Sequence, residues 1–226
     1  MNFGQVVLGL GSIALGLSQF RKGTRMLASG SRARQAPPGR VHASGHVDTE
    51  LAGPLRLQTK KIRTLDDRIR ELRRLADRGK RDPAIYAFAR QAVNSKCGTD
   101  WCVNEKDTLG ELRALFEAIR NNVRYTSDIA GIDSYQLPQK TLRMRTGDCD
   151  DFSTLAAASA LSLGIPVRFK VIRTKNAKDW NHIYTEMGVP RGNPQRWVPF
   201  DASVSKPFGW EAPANVVGAV RLFPVK

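Results

Sequence analysis

The run that most limits what this chain can fold into is residues 148–166, DCDDFSTLAAASALSLGIP. It opens on three carboxylates around one thiol and continues as a long apolar stretch whose spacing predicts a helix starting near Cys149. Gly164 is placed to close that helix, and Pro166 keeps it from continuing. Three short runs of strand character follow, VRFKVIR, NHIYTEM and RWVPFDAS. They alternate apolar and polar residues and are separated by turn-forming segments such as VPRGNPQ. Helices first and a small antiparallel sheet afterwards predict an α+β domain.

Upstream of the run the pattern is helical. Ile62, Leu65, Ile69, Leu72 and Ala76 recur three and four residues apart, with Gly79 placed to end the helix. DPAIYAFARQAV puts Pro83 in a first turn, where its missing N–H costs nothing. Thr108 and Glu111 have capping-box spacing before Leu112, Leu115, Phe116, Ile119 and Val123. Between these helices Cys97 and Cys102 stand five positions apart in a loop. A local disulfide and two free thiols both remain open there; a single C-x4-C is a weak zinc pattern, and no metal site is assigned.

The first sixty residues differ in character. Residues 3–17 are apolar and rich in glycine, and Arg21, Lys22 and Arg25 follow them. The segment is shorter than the roughly 20 residues that cross a bilayer. It also lacks the basic start and small-residue cleavage site of a secretory signal, so none is expected. Contact with a membrane, burial against a protein partner and a disordered tail are all open. From Gly30 to about Leu57 the chain is rich in Gly, Pro, Ser and Arg without apolar periodicity, as in a linker or extended arm. The expected division is an apolar segment at 1–20, a basic arm at 21–59 and a domain at 60–226. Within that domain a helical part covers 60–126 and a catalytic core 127–211. Of the net charge of +15, residues 1–80 supply most, sixteen Lys or Arg against six Asp or Glu. A basic arm suits nucleic acid, anionic lipid or an acidic protein. Nucleic acid is disfavoured, because no recognition motif is present and aromatic residues do not interleave with the basic ones there.

Within the folded part, one constellation carries chemistry. A thiol is a nucleophile as thiolate, and the first turn of a helix favours that charge. Cys149 is placed there. A histidine would take its proton, and a carboxylate would orient the histidine. His42 and His46 fall in the arm, which leaves His182, inside a predicted strand. Asp201 ends the next strand, so neighbouring strands can bring the two together. Taken alone, His182 is also readable as a structural strand residue and Asp201 as a turn former.

The motifs GDCDDFSTLAAASALSLGIPVRF, NHIYTEM and WVPFDAS resemble the transglutaminase-like superfamily of papain-type thiol enzymes. That family's Cys at a helix start, His on a strand and Asp in a W-x-P-x-D strand fall in order on Cys149, His182 and Asp201. LFEAIRNNVRYTSDIAGIDSYQLPQKTL and KPFGWE extend the likeness, to bacterial and bacteriophage members, over roughly residues 60–211. The resemblance implies acyl transfer through a Cys149–His182–Asp201 triad, without metal or cofactor. Cleavage of a peptide or isopeptide bond is expected over crosslinking, because small relatives lack the accessory domains of animal crosslinking enzymes. The Cys149 backbone N–H is the expected oxyanion donor. Gln136 is a second candidate by analogy with papain-like enzymes, a turn or cap role being the alternative. Trp180 and Trp197 are candidates for the cleft wall, core packing being the alternative.

The expected partners are a peptide or protein substrate, cell-wall peptide among them, and other virion proteins through residues 1–59. The alternative reading is a structural virion protein, in a tail or membrane-interacting part, that docks through this fold. The corresponding locations are a virion or bacterial envelope, with the cytoplasm as alternative.

Overall fold

The computed structural model describes residues 62–128 and 133–225. The apolar segment expected at 1–20 and the arm at 21–59 lie outside the described residues. The first helix, α1 (Leu65–Gly79), starts where Thr64 and Asp67 form a reciprocal capping box. It buries Ile69, Leu72, Leu75 and Ala76. Gly79 is its last residue for a packing reason. A Cβ there would stand 2.5 Å from Pro138 Cγ and 2.9 Å from Ala158 Cβ, so only glycine lets this turn approach its neighbours.

Helix α2 (Pro83–Val93) is capped by Asp82, whose carboxylate accepts from the Ala84 N–H at 2.9 Å. The loop after it is a two-stranded hairpin of β1 (Lys96–Cys97) and β2 (Asp100–Trp101), with Cys97 and Cys102 joined in a disulfide. Helix α3 (Thr108–Asn122) begins one residue earlier in logic than its sequence suggests. Its cap is Asp107, which accepts from the Gly110 N–H at 2.9 Å, and Thr108 is already helical. Glu111, expected in a capping box with Thr108, instead pairs with Arg191.

Three further elements lead to the centre of the molecule. Strand β3 (Arg124–Tyr125) pairs in parallel with β4 (Thr146–Gly147), and α4 (Pro138–Met144) lies between them in sequence. Helix α5 (Cys149–Ser162) follows and is buried at every position from Asp150 to Ala160. A helix apolar all round must be enclosed, and this one is packed by α1, α2, α3 and α4 together with strand β6 of the sheet.

That sheet has the order β7–β6–β5–β8, all neighbours antiparallel. Its strands are β5 (Val167–Thr174), β6 (His182–Val189), β7 (Arg196–Phe200) and β8 (Val217–Val225). Val167, Phe169, Val171, Ile183, Met187, Phe200 and Phe223 join Phe152 and Leu155 of α5 in one core. The alternate residues carry charge: Glu186 accepts from Arg168 Nε at 2.6 Å and from Lys170 Nζ at 3.0 Å. Strand β8 was not among the three expected strands. It is an edge strand in which only Phe223 and Val225 are buried, so its sequence shows little alternation.

Candidate active site

The turn before α5 explains the three acidic residues around the thiol. Gly147 is required there, because a Cβ would come within 2.6 Å of Asp151 Cβ. Asp148 is the N-cap, its Oδ1 accepting from the N–H groups of Asp150 at 3.0 Å and Asp151 at 3.1 Å. Asp151 returns the bond to the Asp148 N–H at 3.4 Å, which completes a capping box. The Phe152 N–H takes the Asp148 carbonyl at 3.0 Å. Of the first-turn donors, the Cys149 N–H alone has no acceptor among the described residues.

Helix α5 meets β6 at this turn. The Ser153 hydroxyl bridges the carbonyls of Cys149 at 2.7 Å and Ile183 at 3.1 Å. The backbone N–H of Ile183 is placed to hydrogen-bond the Cys149 sulfur. The thiol therefore lies against the strand at the residue next to His182. His182 Nε2 is 2.6 Å from Asp201 Oδ2. The other carboxylate oxygen accepts from the Ser203 hydroxyl at 2.6 Å and the Ser203 N–H at 3.2 Å. Asp201 is buried and fully partnered, which fixes the imidazole through Nε2 and leaves Nδ1 without a protein partner among the described residues.

The electrostatics differ from the simple expectation of a helix-activated thiolate. Burial pushes the Cys149 thiol well above its ordinary value, and the charges of Asp150 and Asp148 add to this. The helix start offers little relief, because Asp148 has taken two of its donors. Burial opposes the charged imidazole of His182, but the charge and hydrogen bond of Asp201 outweigh it, and the histidine titrates above its usual value. Burial and the other two carboxyls push Asp148 up to about 8, and burial pushes Asp150 up to about 6. The thiol thus rests protonated, and proton transfer to a neutral imidazole must accompany attack.

Arg68 of α1, which carried no signal among the many arginines of its helix, is the cation nearest to balancing Asp150. It donates to Asp133 Oδ2 at 2.7 Å and to the Tyr135 hydroxyl at 3.2 Å. Among the described residues no group of three or more His, Cys, Asp or Glu is arranged to hold a metal ion.

Two expected residues stand elsewhere than foreseen. Gln136 Nε2 donates to Asp151 Oδ2 at 2.9 Å and to the Thr146 carbonyl at 3.1 Å, and its backbone N–H donates to Asp151 Oδ1 at 2.8 Å. With both amide hydrogens committed it has none left for an oxyanion, so Gln136 is a structural lock on the capping turn. Replacing it by alanine strips a buried carboxylate of a partner, an expected loss of about 1–2 kcal/mol in denaturant unfolding. A loss of acyl transfer without loss of stability would restore the oxyanion role.

Trp197 pairs with Gly188, six residues along β6 from His182, which is about 20 Å at strand rise. Its ring stacks on the Arg168 guanidinium, 4.3 Å from centroid to carbon, so it braces the sheet and does not wall the site. Trp180 is partly buried and packs against the core two residues before His182.

Residues 98–202 match the model of a family described as the transglutaminase-like superfamily, and the matched span contains Cys149, His182 and Asp201. Three solved structures are similar. A protein of Cytophaga hutchinsonii provisionally named a cysteine protease is 22% identical with a TM-score of 0.41, over 62% of this chain and 46% of that one. One of Parabacteroides distasonis provisionally named a protease is 13% identical with a TM-score of 0.40, over 59% and 29%. A structure named a TGase is 18% identical with a TM-score of 0.37, over 69% and 38%. The chain thus spans less than half the length of each. None of the three is named as a phage protein. Among curated proteins no significant match was found.

Proposed function

We propose that the transglutaminase-like domain matched at residues 98–202 is a cysteine peptidase or amidase that cleaves a peptide or isopeptide bond through Cys149, His182 and Asp201. One observation carries this reading: the 2.6 Å contact of His182 Nε2 with Asp201, which leaves Nδ1 free on the strand against which the thiol lies. In the first step Nδ1 takes the thiol proton as sulfur attacks the carbonyl carbon. The Cys149 N–H donates to the developing oxyanion. Collapse of the tetrahedral intermediate breaks the C–N bond, and the imidazolium gives its proton to the leaving amine. Water then adds to the thioester with His182 as base, releasing the acid and restoring the thiol. Trp180 is the remaining candidate for the cleft wall.

The test uses p-nitrophenyl acetate as a general acyl donor. Stopped-flow absorbance should show a burst of about one equivalent of p-nitrophenolate. Intact-mass and peptide mapping should place one acetyl group on Cys149. The absence of a burst, or acetylation confined to lysines, would remove the hydrolase reading.

A further inference from the structure

A cavity of about 150 Å³ adjoins the candidate site. Tyr125 of β3, Phe152 of α5, Arg120 of α3, Ser203 and Ser205 line it. Phe152 lies one turn beyond Cys149 on the same helix, and its ring is 6.5 Å from that of Tyr125. Ser203 is the residue that holds Asp201. Two walls of the cavity are therefore fixed to the elements that carry the thiol and the carboxylate. Its volume is that of a cavity known to hold one benzene, about 150 Å³, so it suits the end of one side chain and nothing larger.

Arg120 gives this cavity its chemistry. Among guanidinium groups elsewhere, Arg68 holds Asp133, Arg168 holds Glu186 and Arg191 holds Glu111, whereas Arg173 donates to the Ala177 carbonyl. Arg120 holds none among the described residues. Its Nη1 donates to the Lys206 carbonyl at 2.7 Å, and its guanidinium carbon lies 5.5 Å from the centre of the Phe116 ring. Those two contacts hold the guanidinium in place while leaving its other N–H groups uncommitted. A fixed, partly desolvated guanidinium fork binds a carboxylate with two parallel hydrogen bonds, and a neutral amide cannot match that. The nearby carboxylates make the demand sharper. Asp201, joined by Asp148 once that carboxyl ionises above about pH 8, would repel a substrate anion, so a cation must be present wherever one is accepted.

We infer that the cavity is a specificity subsite for an acidic side chain beside the scissile bond, with Arg120 as its counter-charge. This rests on the proposed thiol hydrolase and names its substrate class, peptides carrying a glutamate or aspartate at that position. The chloromethyl ketones acetyl-Ala-Glu and acetyl-Ala-Gln differ only in the charge offered to the cavity. Their rates of Cys149 alkylation are to be measured in the full chain, each normalised to the iodoacetamide rate of the same variant.

The parent should prefer the glutamate reagent about tenfold, worth about 1.4 kcal/mol. Arg120→Gln should abolish the preference, and Arg120→Lys should keep part of it. No preference in the parent, or one that survives Arg120→Gln, would overturn the assignment. Protection against iodoacetamide separates the two sources of a carboxylate. N-acetylglutamate α-amide should protect, whereas protection by N-acetylglutamine alone would move the anion to a chain end and overturn the side-chain assignment. An iodoacetamide rate indifferent to His182→Ala would instead sink the hydrolase reading and leave the charge preference to be judged by itself.

Discussion

Alanine at His182 should lower the rate of Cys149 acylation by p-nitrophenyl acetate about 10²–10⁴-fold near neutral pH. The reason lies in the pair's resting state. Burial and the charges of Asp150 and Asp148 hold the thiol well above its ordinary value, so almost no thiolate exists without a base to receive the proton. His182 is the only described histidine, and its Nδ1 is the nitrogen left for that task. Only the neutral imidazole is a base. Because Asp201 raises its titration above the ordinary 6.5, the acylation rate should climb with pH through a midpoint above that value. In His182→Ala that limb should vanish, and the rate should rise only as the thiol itself ionises at much higher pH. Asp201→Asn should be milder in stability than in rate, since it keeps a hydrogen-bonding partner for the ring but loses the charge that favours the imidazolium. A pH profile unchanged in His182→Ala, followed by stopped-flow absorbance, would show that the histidine does not serve the thiol.

These residues were readable from the chain for a definite reason. The capped helix start, the lone histidine of the folded part and the aspartate closing the next strand are local features, and order along the chain is enough to group them. What lay beyond reach depended on register. Trp180 and Trp197 both flank the His and Asp strands in sequence, yet β7 runs antiparallel to β6. Its end, at Phe200, lies opposite Thr185, so Asp201 arrives near His182, while Trp197 is carried to Gly188 at the far end. Only analogy singles out Gln136, and the bonds that absorb its amide run to Asp151 and Thr146, residues that come together only once the turn is folded. The thiol's environment is partly legible, since three carboxylates beside it in sequence oppose a thiolate, but a helix start promises a lowered pKa unless its donors are taken. Here a side chain in the sequence itself, Asp148, takes them. Arg120 had no distinguishing signal, since its meaning is the absence, among the described residues, of a carboxylate beside it in space.

Asp148→Asn is the substitution expected to stabilise the domain most, and increasingly so as pH rises from about 4 to about 8. Asparagine caps helices about as well as aspartate, so the bonds to the Asp150 and Asp151 N–H groups survive. What is lost is a carboxyl that burial, then Asp150 and Asp151, push up to about 8 in the folded chain. Its ordinary value is 3.8, the value it regains on unfolding. Between those values the folded state binds the proton and the unfolded state does not, so the parent's stability falls as pH rises from about 4 to about 8. One unit of raised pKa weighs about 1.4 kcal/mol, and discounting for the cap's partial exposure leaves about 3 kcal/mol between pH 5 and pH 8. Urea unfolding should therefore show the variant more stable than the parent by about 1 kcal/mol at pH 5, and by about 3 kcal/mol more than that at pH 8. The same substitution removes a negative charge beside the sulfur, so iodoacetamide should alkylate Cys149 faster in the variant at pH 8. A variant less stable than the parent at pH 8 would mean that the cap is ionised in the fold at no cost.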